Sequence, residues 1–366
     1  MTGAEGFRPP PYPYDRLDDL KALADSHVGG LVDLSVGTPC DPPASDVLKA
    51  MATSGTERGY PTSIGSPALR QAACDWLGRR FTVDISPSAV AACVGTKEFV
   101  ANVPHYLRLR DPSKDTVLYP TVAYPTYEMG AVFAGCRAVP VPVDEHWQLD
   151  LSRVEDDDAT RALCLWVNTP ANPTGAVDDL GAAASWGRAH RVPVFSDECY
   201  VEFTWSGAGH TILEHGLEGV AAVHSLSKRS NLAGLRAGFF AGDPDLVHYL
   251  AEVRKHAGLM VPGPVQAAAT VALADDEHVG EQRALYLERI DLMRRVLDAP
   301  MPEGTFYLWA PAPDGDAWAY TETLVKEGGV LVSPGDFYGP NGAGHVRVAL
   351  VQPLDRLQLV AERLGR

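Results

Sequence analysis

Positive charge is scarce in this chain of 366 residues: 31 lysines and arginines face 47 aspartates and glutamates, for a formal net charge of −16. Proteins that grip nucleic acid need clustered cations to displace counterions, so the balance argues against a general phosphate-backbone binder, though not against a local basic site. Long apolar runs are missing too. None approaches the roughly 18 residues of a membrane-spanning helix, and the start M-T-G-A-E-G-F-R-P-P lacks the basic-then-apolar order of a secretion signal. The expected location is the cytoplasm, with neither membrane nor nucleic acid as partner. Cysteines are few and scattered (Cys40, Cys74, Cys93, Cys136, Cys164, Cys199) and never form C-x-x-C. That spacing argues against a disulfide framework or a zinc site, and no metal is expected. Cys93 and Cys164 lie in apolar runs as small core residues, and Cys199 reads as packing.

What is present is a globular composition, 46% hydrophobic and 21% charged, in a chain long enough for two packed units. The proline-rich segment 7–15 reads as an extended arm. A helix over 17–25 and a strand over 31–39 follow. From residue 66 the pattern predicts helices over 67–80, 97–110, 126–134 and 178–190 between strands at 89–94, 116–119, 137–143, 161–167, 192–196, 220–225 and 236–241. This alternation implies an α/β fold with a mainly parallel sheet covered on both faces. Beyond Pro264, long helices at 264–274 and 277–297 precede short strands at 305–309, 329–332 and 345–350.

The stretch Ser225–Gly238, S-L-S-K-R-S-N-L-A-G-L-R-A-G, holds one lysine, Lys228, after an apolar run. An ammonium there loses solvation unless chemistry or a partner offsets it. Burial lowers its pKa and makes the amine a usable nucleophile. Ser225 and Ser227 offer hydroxyls, Arg236 offers a planar fork suited to a phosphate, and Ala233, Gly234, Ala237 and Gly238 leave room for a bulky ligand. Together they describe a Schiff-base lysine beside a phosphate clamp, where an isolated S-K would be an ordinary surface lysine.

The segment resembles the lysine signature of class I/II aminotransferases, the fold-type I enzymes that use pyridoxal phosphate. The resemblance implies a large cofactor-binding domain over 46–265 and a smaller α+β domain over 266–366, completed by the arm and first segment, 1–45. It also implies a site. Asp197 ends the strand V-P-V-F-S-D; alone it reads as a turn cap, but with Tyr200 it matches the family's D-x-x-Y. Asp197 would then pair with the pyridine nitrogen and Tyr200 with the phenolic oxygen, so that Lys228, Asp197 and Tyr200 form the catalytic set. Asn172, in N-T-P-A-N-P-T-G, is implied to contact both cofactor and substrate. Thr96 and Lys97, in V-G-T-K-E, sit at a helix start that can face the phosphate, beside Ser225, Ser227 and Arg236. Tyr124 is either a core tyrosine or, as in relatives, a lid on the ring. Arg347, in H-V-R-V-A-L, either forms an internal salt bridge or takes the substrate carboxylate, which is the family's use of it; Gly37 lies beside the substrate. Tyr60 is implied to reach the phosphate in the neighbouring subunit of a homodimer with shared active sites.

Three phrases, F-R-P-P-P-Y-P-Y-D-R-L, V-D-L-S-V-G-T-P-C-D-P and A-Y-P-T-Y-E-M-G-A, are similar to the actinobacterial type of succinyldiaminopimelate aminotransferase. This implies N-succinyl-LL-2,6-diaminopimelate as amino donor and 2-oxoglutarate as the 2-oxo acid, in diaminopimelate and lysine biosynthesis. Both carry a distal carboxylate, so a second cation is expected, either Arg8 or Lys97. A broader amino acid aminotransferase or a C–S β-lyase would use the same residues. A pyridoxal-sensing regulator is not expected, because no DNA-binding module fits before residue 31.

Overall fold

The computed structural model describes residues 7–365; residues 1–6 and 366, which belong to the expected outer domain boundaries and to the start inspected for a secretion signal, lie outside it. Seven strands form the main sheet in the order Val90–Cys93, Gly238–Gly242, Val220–Ser225, Val194–Asp197, Ala162–Asn168, Thr116–Pro120, Arg137–Val141. Gly238–Gly242 runs antiparallel to both neighbours, and the other pairings are parallel. Side chains alternate across a strand, and both faces are apolar here because both are covered. Leu165, Val167 and Ala222 pack with the helices Pro67–Phe81, Leu180–His190 and Gly263–Ala274. Cys164, Trp166, Ala221 and Val223 pack on the other face with Thr96–Arg110, Thr126–Phe133 and Pro244–His256.

Parallel strands end on one side of a sheet, so their following loops gather there. Register aligns Asn168 with Asp197 and Asp197 with Val223, while Ser225 and Cys93 both face Gly238. The loops carrying Thr96, Tyr124, Asn172, Tyr200 and Lys228 thus leave at the same end, where Arg236 enters.

A second, antiparallel sheet joins Ser333–Pro334, His345–Ala349 and Tyr307–Pro311. Val32–Asp33 pairs in parallel with Val330–Leu331, and their core includes Ile290, Met293, Leu308 and Val348. The predicted strand over 31–39 contracts to this pair, and the arm turns into a 3-10 helix at Pro13–Leu17 before Asp18–Asp25. The strand predicted from 236 begins at Gly238 because Arg236 has a left-handed backbone, φ 56°. Helices at Ser45–Ala52, Asp156–Arg161, Pro244–His256, Ala317–Gly328 and Leu354–Arg363 are additional to the predicted elements. Two of them carry readable signals: Asp243 caps the helix Pro244–His256 by accepting from the Asp245 and Leu246 amides, and Asp316 caps a helix that Gly329 closes in the left-handed region. Among the described residues no helix is long and apolar enough to cross a membrane.

Candidate active site

At the carboxyl end of the main sheet lies a cavity of about 440 Å³, lined by residues of the sheet loops, of the Val36–Thr38 segment, of the arm and of the second sheet. Lys228 reaches into it from the short turn Leu226–Arg229, whose start is capped by Ser225 Oγ accepting from the Ser227 amide at 3.1 Å. Its amine donates to the Gly37 carbonyl. Burial, then the positive charges of Arg347 and Arg236, pull the Lys228 pKa down to about 8, with Cys199 opposing. A substantial neutral fraction therefore exists near neutral pH.

Asp197 is buried at its strand end and accepts from the Tyr127 hydroxyl at 2.9 Å and the Cys199 amide at 3.3 Å. Burial raises its pKa, and these two hydrogen bonds hold the rise back. Asn168 donates to the Asp197 carbonyl at 2.9 Å and accepts from the Asn172 amide at 2.8 Å, so one buried side chain ties the two loops. Asn172 Oδ1 in turn accepts from Arg347 Nη1 at 2.9 Å. Arg347 Nη2 donates to Tyr14 Oη at 3.1 Å and to the Ser35 carbonyl at 2.5 Å. Its guanidinium lies 4.2 Å from the Tyr307 ring centroid, and no carboxylate faces it among its hydrogen-bond partners, so the internal salt bridge alternative is not realised among the described residues. Tyr200 and Tyr307 share a 2.7 Å hydroxyl contact.

The remaining expected residues divide plainly. Gly37, Thr96, Lys97, Tyr124, Ser225, Ser227 and Arg236 line the cavity. Lys97 Nζ lies 5.3 Å from the Tyr12 ring and 6.0 Å from that of Tyr124. Arg8 is exposed and outside the cavity lining. Tyr60 is 98% exposed and borders a separate apolar groove with Pro61, Pro67, Ala267 and Val271; within one chain it does not join the site. Sequence reasoning passed over Tyr12, Tyr14, Tyr127, Asn168 and Tyr307, which line the cavity as well. Tyr127 was open to detection, three residues after Tyr124 at the start of the helix Thr126–Phe133; Tyr307 arrives from the second sheet and carried no local signal. Cys199 also lines the cavity, but burial holds its thiol protonated, 3.3 Å from Thr96 Oγ1.

These residues fit pyridoxal phosphate. Asp197 has acceptor capacity left for a protonated ring nitrogen after its two bonds. Gly95, at φ 72°, opens the helix Thr96–Arg110, whose first amides have no intrahelical acceptor. A side chain at Gly95 would overlap the Arg236 guanidinium, which approaches that turn closely and spends one bond on the Ala233 carbonyl at 2.9 Å. The Gly95–Thr96 turn with Arg236 beside it, and Asp197, thus line one cavity with Lys228.

Residues 30–364 match the family model described as aminotransferase class I and II. The chain is 42% identical to a probable aminotransferase of Mycobacterium tuberculosis, over 97% of this chain and 85% of that protein. It is 40% identical to the 4-dedimethylamino-4-oxo-anhydrotetracycline transaminase of Streptomyces rimosus, over 97% and 99%. The structure of a probable N-succinyldiaminopimelate aminotransferase from Thermus thermophilus superposes with a TM-score of 0.87 at 32% identity, covering 96% and 98%. Fold, cavity and likeness agree: this chain belongs to the class I and II aminotransferases, pyridoxal-phosphate-dependent enzymes of fold type I that act on an amino donor and a 2-oxo acid.

Proposed function

We propose that this enzyme transfers the amino group of N-succinyl-LL-2,6-diaminopimelate to 2-oxoglutarate, a step of diaminopimelate and lysine biosynthesis. The observation that carries the proposal is a cavity that holds Arg347 and Lys97 besides Lys228 and Arg236, with the Lys97 amine beside the rings of Tyr12 and Tyr124. 2-Oxoglutarate is anionic at two separated points and the succinylated diamine at three, so each calls for a cation beyond the one that takes the α-carboxylate. The likeness to the probable N-succinyldiaminopimelate aminotransferase of Thermus thermophilus supports the same substrate class.

Bound pyridoxal phosphate supplies an electron sink for the bond broken at the substrate α-carbon. Lys228 would hold the cofactor, and its buried Nζ would take the α-proton as a base. Asp197 would hold the ring nitrogen in its protonated form, and Tyr200 and Asn172 would hold the phenolic oxygen. The backbone amides of Thr96 and Lys97, with Ser225, Ser227 and Arg236, would hold the phosphate, which leaves the Lys97 ammonium free for the substrate. Arg347 orients the α-carboxylate next to Gly37 and Asn172 so that the breaking C–H bond faces the lysine. We assign the distal carboxylate to Lys97 rather than Arg8. Tyr60, fully exposed on its groove, is assigned to a homodimer contact that completes the neighbouring site. The large domain is taken as 46–265, with 1–45 and 266–366 forming the smaller one.

A panel of amino donors, followed by the change in cofactor absorbance on half-transamination, tests the substrate. The succinylated diamine and glutamate should react fastest. Preference for aspartate or an aromatic amino acid would overturn the assignment, and pyruvate release from cystathionine would mark a lyase.

A further inference from the structure

The helix Glu277–Val296 meets the lysine turn side chain by side chain. Asp276, at its cap, pairs with Arg229 at 3.2 Å, and His278 Nε2 bonds Ser230 Oγ at 2.9 Å. Gln282 Oε1 accepts from Asn231 Nδ2 at 2.9 Å, and Gln282 Nε2 donates to Asp41 Oδ2 at 2.8 Å. Two turns further along the same face, Arg289 grips both oxygens of Asp41 at 2.7 and 2.6 Å. Asp41 ends the segment whose Gly37 carbonyl receives the Lys228 amine.

Gln282 is the one side chain in this series that touches both segments. It is 5% exposed and shares its helix face with Tyr286, Ile290 and Met293. Packing alone would be served by an apolar residue there, because burying an amide costs free energy unless both of its ends are bonded. Both ends are bonded, one to each wall of the site.

We propose that Gln282 is a positioning residue for proton transfer by Lys228, locking the lysine turn and the Gly37–Asp41 segment into one body so that amine and substrate keep their register. The proposal rests on the role of Lys228 given above. Its test uses the holoenzyme with L-glutamate, reading the single-turnover rate per titrated cofactor site, the apparent glutamate affinity and the pH midpoint of the rate. Gln282→Leu removes both bonds; Asn231→Gly removes one while suiting the left-handed backbone at that position, φ 55°.

Each variant should slow the rate at saturating glutamate about tenfold, as expected for misplacement well under an ångström, with affinity within about threefold and the pH midpoint raised. The double variant should be no slower than the slower single one, since both cut one link. Unchanged rates per site, losses that multiply in the double variant, or a loss confined to the number of active sites would each overturn the proposal. Failure of the lysine assignment shows separately, as amino transfer that survives Lys228→Ala.

Discussion

The cofactor-free protein gives direct access to the Lys228 amine. With a pKa of about 8, roughly one molecule in ten carries it neutral at pH 7, against about one in three thousand for an ordinary lysine at 10.5. The site therefore gains roughly 300-fold in reactive amine at that pH. Adding pyridoxal phosphate at a series of pH values and following the visible absorbance of attachment should give a rate with its inflection near pH 8. Arg347→Gln removes the second-largest cause of the depression and should move the inflection upward. Stability has a defined sign as well. Between pH 8 and the ordinary lysine value, the unfolded chain holds a proton that the native chain has lost, so stability rises with pH through that window. Lys228→Met should abolish that rise in denaturant unfolding measured across the window. An inflection at the ordinary lysine value, or a rise that persists without Lys228, would refute the argument that burial and the two arginines set this amine.

Three other outcomes are expected. Glu202 is buried and accepts from Trp76 at 2.9 Å, Arg80 at 3.0 Å and Arg229 at 3.2 Å; Glu202→Ala leaves Arg229 to Asp276 but strips the buried Trp76 indole of its acceptor, and should cost about 1–3 kcal/mol in urea unfolding. A Cβ at Gly37 would overlap the Tyr307 hydroxyl and lie 2.8 Å from two of its ring carbons. Gly37→Ala should therefore lower kcat/KM about 100-fold with cofactor still bound, and steady-state kinetics with a cofactor titration check it. Glu198 lies 3.4 Å from His224 in a buried pair, where burial pushes the acid up to about 8 and the imidazole down to about 3. From pH 6.5 to 8 the native acid keeps a proton the unfolded chain lacks, so wild-type stability falls as pH rises; thermal melts of Glu198→Gln should lack that fall.

The parallel sheet was legible because strands buried on both faces write continuous apolar runs, such as A-L-C-L-W-V. Strand direction placed Asp197 at the carboxyl end of the sheet, and the family resemblance brought Asn172 and Lys228 to it. The residues that reach the cavity from elsewhere were harder to see. Tyr307 and Tyr14 are set there by packing of the second sheet and the arm, which no local spacing encodes, and the Asp41–Gln282–Asn231 link joins three segments distant in sequence. The arm's prolines suggested an extended chain, yet Pro13 opens a 3-10 turn, since its fixed φ suits the first residue of a helix as well as extended backbone.

The pairing of Val32–Asp33 with Val330–Leu331 has a consequence in time. On the ribosome the first strand waits for a mate about 300 residues later, about 15–60 s at typical synthesis rates of about 5–20 residues per second. Nascent chains that already contain the lysine turn still lack the scaffold that brings Gly37 and Arg347 to it. The complete cavity wall therefore exists only once nearly all of the chain has been made.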